Sequence, residues 1–128
     1  MTPTMQTASK PDWFKAASKS VDLIEQNLHA YQNDERIAPT KDVIAGVREF
    51  LRILEAEIPQ GSNIAEPKLF VSANGHIVAS LGDAPQTLNI RFASNKTTFL
   101  FKHPRLGTSK GEGLPSAAKL VSEHFRTF

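Results

Sequence analysis

Apolar residues recur at helical spacing through the first half of the chain. Phe14, Ala17, Val21, Ile24, Leu28 and Tyr31 follow one another at steps of three and four. At 3.6 residues per turn they form one stripe on a helix of about six turns. Ser9 suits the cap of this helix and Pro11 its first turn. Asp12, three residues after the cap, reads as a weaker form of the capping box. Asn33-Asp34 marks the end. A second stripe runs through Ile44, Val47, Leu51, Leu54 and Ile58, widened by Val43 and Phe50. Thr40 stands at its N-cap and Asp42 at the positive end of the helix dipole, and Pro59-Gln60-Gly61-Ser62 stops it. Two amphipathic helices joined by a short polar link predict an antiparallel helical hairpin. The same stripes also suit helices seated on a sheet or on a second copy of the chain.

From residue 68 the period changes to two. In KLFVSANGHIVASLG, residues 68–82, Leu69–Ala73 and His76–Leu81 are expected to pair around Asn74-Gly75. That dipeptide favours a type I′ turn, in which both central residues need positive φ. Gly82-Asp83-Ala84-Pro85 is the next turn. Thr87–Ala93 sets Leu88, Ile90 and Phe92 against Asn89 and Arg91. After Ser94-Asn95-Lys96, Thr97–His103 sets Phe99 and Phe101 against Thr98 and Lys102. The prediction is a four-stranded antiparallel meander with one apolar face under the helices and one wet face. Pro104 ends the last strand, and HPRLGTSKGEG reads as a loop. Pro115 opens a short helix with Ala118, Val121, Phe125 and Phe128 on one face. The order α-α-β-β-β-β-α is an α+β two-layer domain over residues 9–128, preceded by a disordered tail over residues 1–8.

The run Lys68-Leu69-Phe70-Val71 has the look of the first strand of an RNA-recognition module. Such a module leads that strand into a helix and carries a basic-aromatic motif on a later one. Here the strand turns straight back. Phe99 and Phe101 lack the flanking glycines and fall on the apolar face, so they read as core. The passages PTKDVIAGVREFLRILEAEIP, SANGHIVASL, TLNIRF and TTFLFK instead resemble a loose group of small uncharacterised bacterial and phage-borne α+β proteins. Their pattern is a helix ending in Phe-Leu, a proline, a strand, Asp/Asn-Gly and alternating strands. The resemblance spans roughly residues 39–103. The group's tryptophan late in the second strand is replaced here by Ser80-Leu81. The resemblance brings no established activity or catalytic residue. It implies a bacterial or mobile-element accessory protein.

Composition adds exclusions. The 128 residues are 40% hydrophobic and 22% charged, as in an ordinary soluble globule, and long enough for one core. With no cysteine, disulfides, thiolate catalysis and thiolate metal sites are excluded. MTPTMQTASK lacks the apolar run of a signal peptide, and no segment approaches the ~20 apolar residues that span a bilayer. A soluble cytoplasmic protein with no membrane partner is expected. The net charge of +2 hides an asymmetry: residues 1–66 carry −3 and residues 67–128 carry +5. No acid lies between Asp83 and Glu112. Arg91, Lys96, Lys102, His103, Arg105 and Lys110 are therefore the candidate binding residues for an anion or a nucleic acid. A basic half that neutralises its own acidic half explains the same numbers.

Catalytic patterns are thin. Gly107-Thr108-Ser109-Lys110-Gly111 matches G-x-S-x-G, but a nucleophile elbow needs a strand, a sharp turn, a helix and later Asp and His partners. As a loop, the same segment offers backbone N–H groups to an anion beside Lys110. His29, His76, His103 and His124 show no metal-binding spacing, so no metal and no cofactor is expected. Glu49, Glu55 and Glu57 read as a solvated face in which Glu55 meets Arg52 or Arg48. Three readings follow. The leading one is an accessory protein acting by protein–protein contact or self-association, on the strength of Trp13, Leu23 and Ile53 lying off the stripes; burial of Trp13 counts against it. The second is a nucleic-acid binder, which lacks an exposed aromatic for a base to stack on. The third is an enzyme, which needs a deep pocket holding two of His76, His103 and Asp83.

Overall fold

The computed structural model describes residues 10–127. The cap residue Ser9, the tail over residues 1–8 and Phe128 lie outside them. Three helices form one layer: α1 (Asp12–Gln26), α2 (Lys41–Glu57) and α3 (Leu114–His124). The strands are β1 (Asn63–Ile64), β2 (Lys68–Val71), β3 (Ile77–Asp83), β4 (Gln86–Ala93), β5 (Lys96–His103), β6 (Gly107–Glu112) and β7 (Arg126–Thr127). β2 to β6 form a five-stranded antiparallel sheet in chain order, and β1 pairs with β7 in a small ribbon.

The α+β class and the antiparallel sheet are as expected; the count of four strands is not. Gly107–Glu112, expected as a loop, pairs with β5 along its whole length, from His103↔Gly107 to Thr98↔Glu112. It is an edge strand with almost every residue exposed, so it has no apolar alternation to betray it. The β2–β3 turn also differs. Val71 pairs with Ile77, and Ser72 N–H bonds the His76 carbonyl at 2.9 Å, leaving Ala73, Asn74 and Gly75 as a three-residue loop. Only Gly75 takes positive φ (+81°), so the turn is not the two-residue I′ type.

α1 stops at Gln26, short of Asn33. The Asn27 side chain donates to the Leu23 carbonyl at 2.8 Å, and Leu28–Tyr31 tightens into a 3-10 turn. Residues three apart eclipse in that geometry. Leu28 and Tyr31 therefore stay against the core although the α-helix has ended. α2 begins after Thr40 and ends at Glu57 as expected, with Val43, Ile44, Val47, Phe50, Leu51 and Leu54 buried. It is flanked by α1 and α3 and lies on β3 and β4, so the helices pack on each other and on the sheet. Ile77, Ala79, Leu81, Leu88, Ile90, Phe92 and Phe101 complete the core from the sheet side. Trp13, off the predicted stripe, is only 2% exposed.

Four acids of α1 and α2 have partners of their own. Arg48 of α2 reaches Asp22 and Glu25 of α1 at 3.0 and 2.7 Å. Desolvation opposes the Arg48 charge, but its bonds to Glu25 and Asp22 outweigh that and hold its pKa above the ordinary arginine value. Arg52 pairs with Glu49, and Lys10 with Glu55. The expected Glu55–Arg pairs are not the ones formed. Among the described residues, no helix is long and apolar enough to cross a membrane.

Candidate functional site

Strand alternation decides which side chains reach the sheet face that no described helix covers. Leu69 and Val71 point inward with Ala79 and Ile77, their partners on β3. Lys68 and Phe70 therefore point outward, opposite Ser80 and Val78. The same register carries across the sheet. One outer row reads Phe70, Val78, Arg91, Thr98, Glu112; the next reads Lys68, Ser80, Asn89, Leu100, Lys110; a third holds Thr87, Lys102 and Thr108. Lys96 lies at the end of the same face, beside Ala93.

The predicted binding residues separate. Arg91, Lys96, Lys102 and Lys110 share this face and are exposed. His103 does not: it falls on the inner side, half-buried, with its ring centroid 5.4 Å from that of His124. Its Nδ1 accepts the backbone N–H groups of Arg105 and Leu106 at 3.0 and 3.1 Å. It caps the β5–β6 turn, and Arg105 stands exposed in that turn. Lys68 and Phe70, which are not among the predicted binding residues, join the face. Their parity was hidden because Leu69, Phe70 and Val71 are all apolar, so no alternation marks an inner side.

The face is strongly cationic. Among the described residues its strands point five cations outward (Lys68, Arg91, Lys96, Lys102 and Lys110) and one acid, Glu112. The one ion pair among them is Lys96–Glu112 at 3.4 Å. Asp22 and Glu25 of α1 and Glu49 and Glu55 of α2 are engaged with Arg48, Arg52 and Lys10 in the helical layer, away from these cations. Arg91 Nη1 lies 3.2 Å from His76 Nδ1. Arginine only donates, so His76 accepts there and carries its proton on Nε2. Phe70 is 57% exposed in the same row as Arg91. Between them and β6 lies a shallow depression of about 590 Å³, lined by Val78, Asn89, Arg91, Leu100 and Lys110 among others.

Other candidate chemistry is not assembled. Ser109 sits inside an extended edge strand opposite Phe101, without the sharp turn of an elbow. In that strand successive N–H groups point to opposite edges, so they do not converge on an anion. No group of three or more His, Asp or Glu side chains is arranged to hold a metal among the described residues. The depressions of about 840, 590 and 460 Å³ are not lined by His76, His103 or Asp83. The chain matches no family model, no curated protein and no solved structure.

Proposed function

We propose that this protein binds nucleic acid across the uncovered face of its five-stranded sheet. The observation that carries the reading is the charge of that face, five cations against one acid, while Asp22, Glu25, Glu49 and Glu55 of the helices pair elsewhere. A basic half that merely neutralises an acidic half would have brought those carboxylates to these cations. Lys68, Arg91, Lys102 and Lys110 instead lack a carboxylate partner among the described residues and present a field suited to phosphates. Phe70 supplies the exposed aromatic that the alternating strands alone do not reveal.

The protein-contact reading loses support in the same geometry. Trp13 is buried, Ile53 is half-buried against the core, and of the three off-stripe residues only Leu23 is exposed. Two copies meeting through the sheet face would oppose like charges.

The test is binding of a fluorescein-labelled mixed-sequence 20-mer, followed by anisotropy and light-scattering mass between 50 and 300 mM salt. Four unpaired cations, each displacing a counterion, give a slope of log K against log salt of about −3 for a single strand. Affinity then falls roughly 100-fold over that range. Absence of binding at 50 mM, or a salt-independent dimer indifferent to the oligonucleotide, overturns the reading.

A further inference from the structure

The sheet face carries more than charge, and the extra features specify the form of the nucleic acid. We infer that it takes a single strand with unpaired bases, one stacked on Phe70 and a neighbouring one seated in the depression over Val78 and Leu100. This inference rests on the nucleic-acid reading above.

A duplex hides its base faces and offers a flat sheet mainly phosphates, which need only the cations. Phe70 would then be an apolar ring left in water without a purpose. It lies in the middle of β2, 57% exposed, flanked along its strand face by Lys68 and across the sheet by Val78 and Arg91. An unpaired base has a π-face for any aromatic ring. It also has free edges for hydrogen bonding. The depression fits that second need. Val78 and Leu100 give it apolar walls, and half-buried Asn89 brings an amide that both donates and accepts. Arg91 and Lys110 line it as well, where phosphates between consecutive bases would pass. A volume of about 590 Å³ is within the range of small-ligand sites. The His76 bond at 3.2 Å steadies Arg91, whose planar guanidinium can stack as well as pair with phosphate.

Charge decides against a second copy as the occupant. The apolar side chains here are few, and stable interfaces need about 1,000 Å² or more with complementary potential. This face would meet itself with four unpaired cations on each side.

The experiment measures the affinity of labelled dT12, of its 12-base-pair duplex with dA12, and of inorganic polyphosphate as a base-free competitor. The full chain is used, unaltered and as Phe70→Leu and Phe70→Trp, with thermal melts checking the fold. Phe70→Leu keeps an apolar side chain and removes the π-face. The expected result is at least tenfold preference for the strand over the duplex. Phe70→Leu should weaken dT12 by roughly 5- to 100-fold, the value of one base stack, and leave polyphosphate competition and the salt slope unchanged. Phe70→Trp should retain dT12 affinity, with the added indole emission quenched by the strand. If dT12, duplex and polyphosphate bind alike, and Phe70→Leu changes none of them, the base seat is overturned while binding of nucleic acid through its phosphates stands. If no polyanion binds at 50 mM salt, both fall. If the chain forms a salt-independent dimer that Phe70→Leu disrupts, the face docks a second copy and both fall as well.

Discussion

Phe125, at the end of α3, closes directly over Gly82 of β3. A Cβ on Gly82 would stand 2.6 Å from Phe125 Cε1 and 2.5 Å from the Gln86 carbonyl oxygen. Gly82 also holds φ at +77°, in the left-handed region. Close by, the Gln86 side chain donates to the His124 carbonyl, so the β3–β4 hairpin and the last helix are fastened at one point. Gly82→Ala is expected to destabilise the fold by about 2–4 kcal/mol, from left-handed strain plus forced displacement of the ring. Urea denaturation followed by circular dichroism measures it. A loss below about 0.5 kcal/mol, the range of ordinary surface substitutions, would show that this corner is not rigid.

Two phenylalanines on opposite sides of the sheet should respond in opposite ways. Phe50 is fully buried on α2, with its ring centroid 5.7 Å from that of Phe92. Phe50→Ala removes a large core side chain and should cost about 3–5 kcal/mol. Phe70→Ala removes an exposed one and should stay within about 0.5 kcal/mol. Phe70 would join the structural set, and lose its role as a free surface ring, if its truncation cost as much as a core residue.

Much of the fold was legible because burial imposes period. The stripes of α1 and α2 and the alternation of β4 and β5 each face one side of one core, so Ile44, Val47, Leu88, Ile90 and Phe92 announced themselves. Gly107–Glu112 was not legible, because an edge strand held by backbone bonds places no demand on its side chains. The cationic face was half legible. Arg91 and Lys102 are placed by charge and by the clean alternation of β4 and β5, whereas Lys110 stood out by charge but had no side until β6 was seen to pair with β5. Phe70 could not be assigned a side within Leu69-Phe70-Val71 until the three-residue loop set its register with Ile77 and Val78. His103 misled because its position at the end of β5 looks exposed in sequence, whereas its ring turns inward to hold the Arg105 and Leu106 amides.

The Glu49–Arg52 pair gives a pH prediction whose sign is fixed. The Arg52 guanidinium, bonded one turn away, holds the Glu49 carboxyl below its ordinary pKa of 4.5. A carboxyl with a depressed folded pKa contributes stability above its unfolded pKa and loses it as pH falls through the folded value. The contribution of this exposed pair should therefore be complete at neutral pH and vanish only in acid. Carbon-13 titration of the Glu49 carboxyl reads the shift. Arg52→Ala should return the midpoint toward that of a free glutamate, and an unchanged midpoint would show that the pair does not persist in solution.

Glu112 is the one acid that the strands point onto the cationic face, and it occupies Lys96 at 3.4 Å. Both side chains are mostly in solvent, at 59% and 62% exposure, so the pair adds little to stability. It does cost the face one cation and places a negative charge among the remaining ones. Glu112→Gln keeps the shape, removes that charge and releases Lys96. Melting temperature should be unchanged. Affinity for a single-stranded oligonucleotide at 50 mM salt should rise several-fold, and the salt slope should steepen by about 0.7, the increment for one more phosphate neutralised on a single strand. Lys102→Glu should move both quantities the other way. A Glu112→Gln protein with unaltered affinity and slope would mean that the strand passes wide of β6 and that Lys96 takes no part in holding it.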